Sequence, residues 1–347
     1  MVPKNDDASA STQPTTADDS SDMLSKLPTD VLVSILEKLS LHDAIRAGVL
    51  SRRWRHLPGQ LSRLVLDIDD YFCGGDDDDD EYYDEDDPTE DLLDKKPVDD
   101  DGHTSSTDDD ALSAASDKML DVATALLASR DTCLPTLAMS FFLRHNYMSL
   151  GRLLDDAMAG GKVHAAELTV STTSRIGIKV FRALAGYGRR FKALFDGCPA
   201  AFAGLTRLTM ENMMVREAVL DDILTTCTKL EFLSLQSWDP GRRTTQWRVR
   251  HDRLADLRIT FCVFGEVHLV WLPRLERFAY RYNEFHTHEP LSFGHVPRLT
   301  TLTVSNNHHV VNTVKLSKIF ANTAVKDLRL NFSGKDVSRS STVRKRS

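Results

Sequence analysis

Two hydrophobic periods divide this chain. In "LPTDVLVSILEKLS" the apolar positions Val31, Leu32, Ile35, Leu36 and Leu39 step by one, three, one and three, the stripe of one helix face. Pro28 suits the start of that helix, where its missing N–H is no loss, and Asp30 falls in the first turn, near the positive end of the helix dipole. A second helix is predicted over "SLHDAIRAGVL": Ser40 and Asp43 stand at capping-box spacing, and Leu41, Ala44, Ile45 and Val49 share one side. Ser51 can cap a third short helix that ends before Pro58. A bundle this thin leaves apolar surface open unless a partner covers it.

Beyond residue 110 the pattern becomes a repeat, apolar-x-x-apolar-x-apolar. It occurs at Leu205/Leu208/Met210, Leu230/Leu233/Leu235, Leu254/Leu257/Ile259, Leu275/Phe278/Tyr280, Leu299/Leu302/Val304 and Val325/Leu328/Leu330. First positions are 25, 24, 21, 24 and 26 residues apart, which is the spacing of leucine-rich units. Weaker matches stand at Leu61/Leu64/Leu66, Leu134/Leu137/Met139 and Ala165/Leu168/Val170. Segments 111–130, 147–161 and 216–227 carry helical spacing between predicted strands. The expected fold class is therefore α/β: a three-helix module followed by a strand-and-helix solenoid, each unit lending one short strand to a shared core. The predicted segments are a flexible tail over 1–21, the helical module over 22–60, a first irregular strand over 61–73, an acidic disordered linker over 74–110, the repeat domain over 111–335 and a basic tail over 336–347.

Charge sharpens this division. The net charge of -8 conceals 22 acidic side chains in residues 67–110 against Lys95 and Lys96, which leaves 29 acidic against 41 basic elsewhere. Self-repulsion and scarce apolar content make the acidic run a solvated spacer, with masking of the basic solenoid as the sharper alternative. No apolar run approaches the ~18 residues of a membrane helix. The first thirty residues lack the basic start and apolar middle of a secretion signal. The chain is expected to stay in the cytoplasm, the nucleus or both, with no membrane partner.

The five cysteines are widely spaced and form no CxxC pair, which fits reduced thiols rather than a disulfide framework or zinc site. The "HTH" at 286–288 and "HH" at 308–309 read as solvated loop histidines, and "GYGRR" at 186–190 reads as a turn. No constellation for catalysis, metal or cofactor emerges. The most basic stretch, 239–253, places Trp247 and the preceding Trp238 beside Arg242, Arg243, Arg248, Arg250 and Arg253. It reads as an inter-repeat loop facing solvent. Arg242, Arg243, Trp247, Arg248 and Arg250 are the candidate substrate contacts there, with stacking on a nucleic acid as the less favoured use.

Residues 22–57, "DMLSKLPTDVLVSILEKLSLHDAIRAGVLSRRWRHL", resemble the F-box, and their coupling to leucine-rich units resembles the plant-type F-box/leucine-rich-repeat proteins. Leu27, Pro28, Leu32, Ile35, Leu36, Leu39, Asp43, Arg46, Val49, Leu50, Ser51, Arg52, Arg53 and Trp54 carry the likeness. Ala47 and Gly48 depart from it, since a hydroxylated or larger residue is usual there and a helical glycine costs about 1 kcal/mol relative to alanine. Pro58 replaces a bulky apolar residue, and the chain ends at "SRSSTVRKRS" where longer relatives carry further repeats and a terminal domain. The resemblance implies a non-catalytic, cofactor-free adaptor in a cullin-type ubiquitin ligase. Its F-box would dock a Skp-type adaptor, and through it a cullin scaffold, while the repeats hold an unidentified target protein. Leu27, Pro28, Leu32, Ile35, Leu36, Leu39, Val49, Leu50, Ser51, Arg52 and Trp54 would face the adaptor. A leucine-rich scaffold without a ligase role is the alternative, and a nucleic-acid-binding repeat protein a more distant one.

Overall fold

A computed structural model of the chain describes residues 26–39, 41–49, 51–71, 106–130, 132–172, 181–241, 246–282, 291–306, 325–332 and 341–344. Ser40, Leu50, Arg242, Arg243, the two histidine clusters, the 1–21 tail and most of the 74–110 acidic segment lie outside them. The chain divides into two compact units, Met1–Leu61 and Ser62–Ser347.

In the first unit the two expected helices form as α1 (Thr29–Leu36) and α2 (Leu41–Ala47). Pro28 sits at the N-cap of α1, its carbonyl accepting the Leu32 N–H at 3.1 Å. The third expected helix is instead two short 3-10 turns, Trp54–His56 and Pro58–Gln60. The short span from Ser51 to Leu57 leaves little room for α-helical pairing before Pro58, which has no N–H to extend it. The Ser51 hydroxyl still caps the segment, accepting the Trp54 N–H at 3.4 Å.

The second unit is built on a ladder. Among its described residues ten strands form one sheet: β1 (Arg63–Asp67), β2 (Leu134–Phe142), β3 (Val163–Ser171), β4 (Leu205–Met214), β5 (Phe232–Asp239), β7 (Asp256–Thr260), β9 (Arg277–Tyr282), β11 (Thr301–Asn306), β12 (Asp327–Phe332) and β13 (Ser341–Arg344). Neighbours run parallel except β12 and β13, which are antiparallel. The repeat triplets stack in register: Leu208 opposes Leu233, then Leu257, Phe278, Leu302 and Leu328 in turn. Each of these six is buried. Full burial of one such side chain is worth about 1.5–3 kcal/mol, and in-register stacking gives every unit that gain on both sides.

Between β2 and β3 the inward face is kept but the triplets slip by two residues. Leu137 opposes Ala166 rather than Leu168, and Met139 takes Leu168. The side-chain period of a strand is two, so this shift preserves which face is buried. Past the triplet, Asn212, Ser237 and Phe261 hold left-handed φ values of 50, 49 and 55° at equivalent repeat positions. This turn inverts the alternation, so Met213, Trp238 and Cys262 point into the core.

The layer behind the sheet changes along the chain. Helices α3 (Ser106–Ser129), α4 (Tyr147–Ala159), α5 (Phe181–Gly197), α6 (Pro199–Ala203) and α7 (Glu217–Thr226) fill its first part. Helix α3 begins with "STDDDA", inside the expected acidic linker, whose boundary is thereby corrected. Acidic residues in the first turns of a helix favour its dipole. Among the described residues of 246–295 strands take the place of helices: β6 (Gln246–Arg250), β8 (Glu266–Trp271) and β10 (Leu291–His295) make a second parallel sheet in the order β10-β8-β6. Over these three units the expected strand-and-helix alternation therefore gives way to strand and strand. "QWRVR" and "EVHLVW" carry the β-branched and aromatic alternation of half-buried strands. Phe264 stacks between Trp238 of the first sheet and Trp247 of the second, at centroid distances of 4.8 and 5.2 Å. Likewise, β13 falls within the expected basic tail.

The expected turn at "GYGRR" is also corrected: it lies inside α5. A Cβ at Gly188 would come within 1.8 Å of the Met214 carbonyl oxygen, so glycine there admits close packing of α5 on the end of β4. At Gly186 a Cβ would meet only the tip of Arg189, at 3.9 Å. The two glycines should respond oppositely to alanine. Gly188→Ala is expected to destabilise the repeat domain by about 1–3 kcal/mol through overpacking. Gly186→Ala is expected to stabilise it by about 0.5–1 kcal/mol through helix propensity. Urea denaturation of the two variants checks the sign of each.

Candidate functional site

The apolar stripe of the N-terminal unit separates into two sets of side chains. Leu32 and Leu36 are 0% exposed and Trp54 5%, so they hold the unit together. The expectation that these three face a partner is corrected, since side chains so enclosed offer almost no surface to dock. Outward-facing apolar surface comes from Val31 and Leu39, from Ile45 at 44% and from Val49 at 84%. Pro28 is exposed beside them, and Leu27 and Ile35 are half-buried. Val31 and Ile45 fall outside the set expected to face the adaptor, although both lie in the predicted helices; sequence periodicity defines a stripe but not which edge of it stays open. Ser51 is half-buried and Arg52 exposed.

Gly48 proves to be a packing residue rather than a weakness inside a helix. It follows the end of α2, and a Cβ there would lie 2.9 Å from the Ile45 carbonyl oxygen and 3.2 Å from the Arg55 Cα. The missing side chain lets the turn at 54–56 close on α2. This leaves Val49 beyond the helix end, where it projects into solvent.

In the repeat unit, residues 239–253 are not a single solvent-facing loop. Trp247 is 1% exposed, on β6, with Trp238 equally enclosed. Trp247 is therefore excluded as a substrate contact: its ring is spent in the stack with Phe264 and has no free face. Arg248 and Arg250, which alternate with it, are exposed. The alternation of Gln246, Trp247, Arg248, Val249 and Arg250 is the sequence signal of this strand, and the charge of the stretch obscures it.

His251 follows that strand and is buried. Its Nδ1 accepts the backbone N–H groups of Arg253 at 3.2 Å and Leu254 at 3.0 Å, which leaves Nε2–H to donate to the Cys227 carbonyl at 3.1 Å. Two donors on Nδ1 fix the neutral ring. Burial pushes the thiol pKa values of Cys227 and Cys262 up to about 12, and that of Cys198 up to about 11, so these are core side chains rather than nucleophiles. On the outer face of the second sheet His268 bridges Glu266 and Ser292, and Glu266 also accepts the Gln246 amide at 2.9 Å. This polar row joins β6, β8 and β10 and reinforces the sheet. Among the described residues no group of three or more His, Cys, Asp and Glu side chains is placed to hold a metal, and no helix is long and apolar enough to cross a membrane.

The open face of the first sheet carries charge. Asp256, buried, is held by Arg277 Nε at 2.9 Å and Arg258 Nη2 at 3.2 Å. Arg207 lies 3.9 Å and Arg258 5.0 Å over the ring of Phe232. Glu167 pairs with Arg63 at 2.7 Å and reaches Arg207 at 3.8 Å.

With this geometry described, comparison with known proteins decides the family. The F-box domain model matches residues 24–65, and the model of the leucine-rich repeats of FBD-associated F-box protein At5g56370 matches residues 163–329. This chain is a plant-type F-box/leucine-rich-repeat protein. It is similar to the Arabidopsis thaliana F-box protein At1g80960, 53% identical over 47 residues, or 14% of this chain and 10% of that protein. The Arabidopsis F-box/FBD/LRR-repeat protein At1g13570 is 45% identical over 49 residues, 14% of this chain and 12% of that protein. These matches span about a tenth of the relatives' length, a stretch of the size of one F-box, whereas the repeat model covers the ladder from β3 into β12.

Burial pushes the His251 pKa below its usual 6.5. As pH falls through that usual value the unfolded chain takes up a proton that the folded chain resists, so stability is lost with acidification. We expect the urea midpoint of this F-box/leucine-rich-repeat chain to fall between pH 7 and pH 5. His251→Gln should show a smaller fall over the same range; an equal fall in both proteins would contradict the assignment.

Proposed function

We propose that this protein is the substrate-recognition subunit of an SCF-type (Skp–cullin–F-box) ubiquitin ligase, acting in the cytoplasm, the nucleus or both. The observation that carries the reading is the division of apolar side chains in the F-box. Leu32, Leu36 and Trp54 already supply a core, so Val31, Leu39, Ile45 and Val49 have no internal use and present surface that a partner would remove from water. A Skp-type adaptor is the occupant that the F-box match favours. The repeat domain then holds a target protein on its strand face or its loops.

The chain performs no bond chemistry in this reading and uses no cofactor. It acts through proximity, raising the effective concentration of target lysines near a ubiquitin-charged enzyme on the cullin scaffold. The nucleic-acid alternative loses its stacking platform, because Trp238 and Trp247 are enclosed. A repeat scaffold without a ligase role would leave the exposed F-box side chains without purpose.

The test is capture of a purified Skp-type adaptor by the full chain. Val49→Glu and Ile45→Glu should each weaken capture at least about tenfold, since a charge would have to be buried against an apolar face. Their thermal unfolding should match wild type because both side chains are exposed. Failure of the wild-type chain to capture the adaptor, or capture unaffected by both substitutions, would overturn the proposal.

A further inference from the structure

The open face of the sheet carries an arrangement that the F-box reading leaves unused. Arg277, Ala279 and Arg281 alternate along β9, and Arg258 on β7 stands in register with Ala279. The contacts of Arg258 and Arg277 with Asp256 place both guanidinium groups on the same face, and strand alternation brings Arg281 to that face. The side chains of Arg258 and Arg277 are 52% and 55% exposed, whereas that of Asp256 is 5% exposed. Asp256 therefore works as a buried post that orients two guanidinium forks without covering them. Arg281 is exposed and lies 5.8 Å from the Phe261 ring centroid, with no carboxylate paired to it among the described residues.

Two cations thus flank one carboxylate, and a third, Arg281, stands four residues further along β9. Ala279 keeps the space between Arg277 and Arg281 low, and Ser234 and Thr303 stand in register on the strands to either side. Glu231, at the edge of the sheet before β5, is occupied by Arg253 at 2.8 Å, and Asp327 on β12 by Arg329 at 2.9 Å. The positions also have a spacing. At about 3.3 Å per residue, Arg277 and Arg281 lie about 13 Å apart along the strand direction, with Arg258 midway on the neighbouring strand. An extended peptide bearing acidic side chains at alternate positions repeats them about every 6.6 Å. Such a peptide laid along β9 would bring one carboxylate to each guanidinium.

We propose that this face, centred on Arg258, Arg277 and Arg281, is the recognition site for an extended acidic segment of a separate protein, with carboxylates at alternate residues. This rests on the proposed role of the repeat domain in holding a target protein and names the chemistry of that target. Guanidinium forks match carboxylates bidentately, and pre-orientation by Asp256 lowers the entropy lost on binding. Neither Arg248 nor Arg250 belongs to the site, because both stand on the second sheet.

The test is fluorescence anisotropy with the full chain and a labelled peptide of six Glu–Ser repeats at low salt. Saturable binding is expected. Arg281→Gln should weaken it about threefold, a typical effect of one exposed charge pair. The combined Arg258→Gln, Arg277→Gln and Asp256→Asn variant, which leaves no unpaired buried carboxylate, should abolish it. Arg248→Gln with Arg250→Gln should bind as wild type does. Thermal unfolding of each variant, together with adaptor capture, establishes that it is folded. Absence of peptide binding by a wild-type chain that still captures the adaptor would overturn this inference alone, whereas loss of adaptor capture with peptide binding intact would count only against the ligase role. Binding seen only after deletion of residues 74–105 would overturn the assignment to a separate protein in favour of the chain's own acidic segment. Equal or tighter binding of a twelve-residue thymidine oligonucleotide, weakened by the same substitutions, would overturn the acidic-peptide assignment in favour of a nucleic acid.

Discussion

The register of one parallel ladder sets what each face of the repeat unit can do. Leu208, Leu233, Leu257, Phe278, Leu302 and Leu328 oppose one another across six strands, and the strand period of two then fixes every other side chain. With the leucines inward, Phe232, Asp256, Arg258 and Arg277 are brought together on the opposite face. A slip of one residue would bury the arginines and expose the core. The two-residue slip between β2 and β3 is tolerated for the same reason, because it exchanges one inward residue for another.

A similar division of apolar side chains operates in the F-box on a smaller scale. The unit has too few residues to enclose its whole stripe, so Leu32, Leu36 and Trp54 form the centre while Ile45 and Val49 remain outside. Gly48 makes the arrangement possible by letting the 54–56 turn approach α2. The proposed function follows from that incompleteness: an apolar surface that the unit cannot cover is available to a partner, while the repeat domain offers charge and hydrogen-bonding groups to another.

Much of this is legible in the sequence. The triplet spacing locates the strands of the first sheet from β4 to β12, and the stripe in residues 31–39 locates α1, because both depend on local periodicity. What periodicity leaves open is which layer lies behind the sheet. In "QWRVR" the arginines outweigh the alternation and point to a basic loop, and in "GYGRR" the glycines point to a turn because glycine carries no record of what packs against it. In each case the deciding partner is distant in sequence: Phe264 for Trp247, and the Met214 carbonyl for Gly188. The same limit explains the F-box, where Leu32 and Val31 are adjacent in sequence yet only the former is enclosed.

Hydrogen–deuterium exchange of the full chain, alone and with a saturating purified Skp-type adaptor, tests the central claim most directly, since it reports where the partner sits without altering a residue. We expect the adaptor to slow exchange in segments 28–39 and 44–49, and to leave the strands at 256–260 and 277–282 unchanged. Protection confined to the repeat sheet, or spread equally over both units, would contradict the division between an apolar docking module and a charged recognition face.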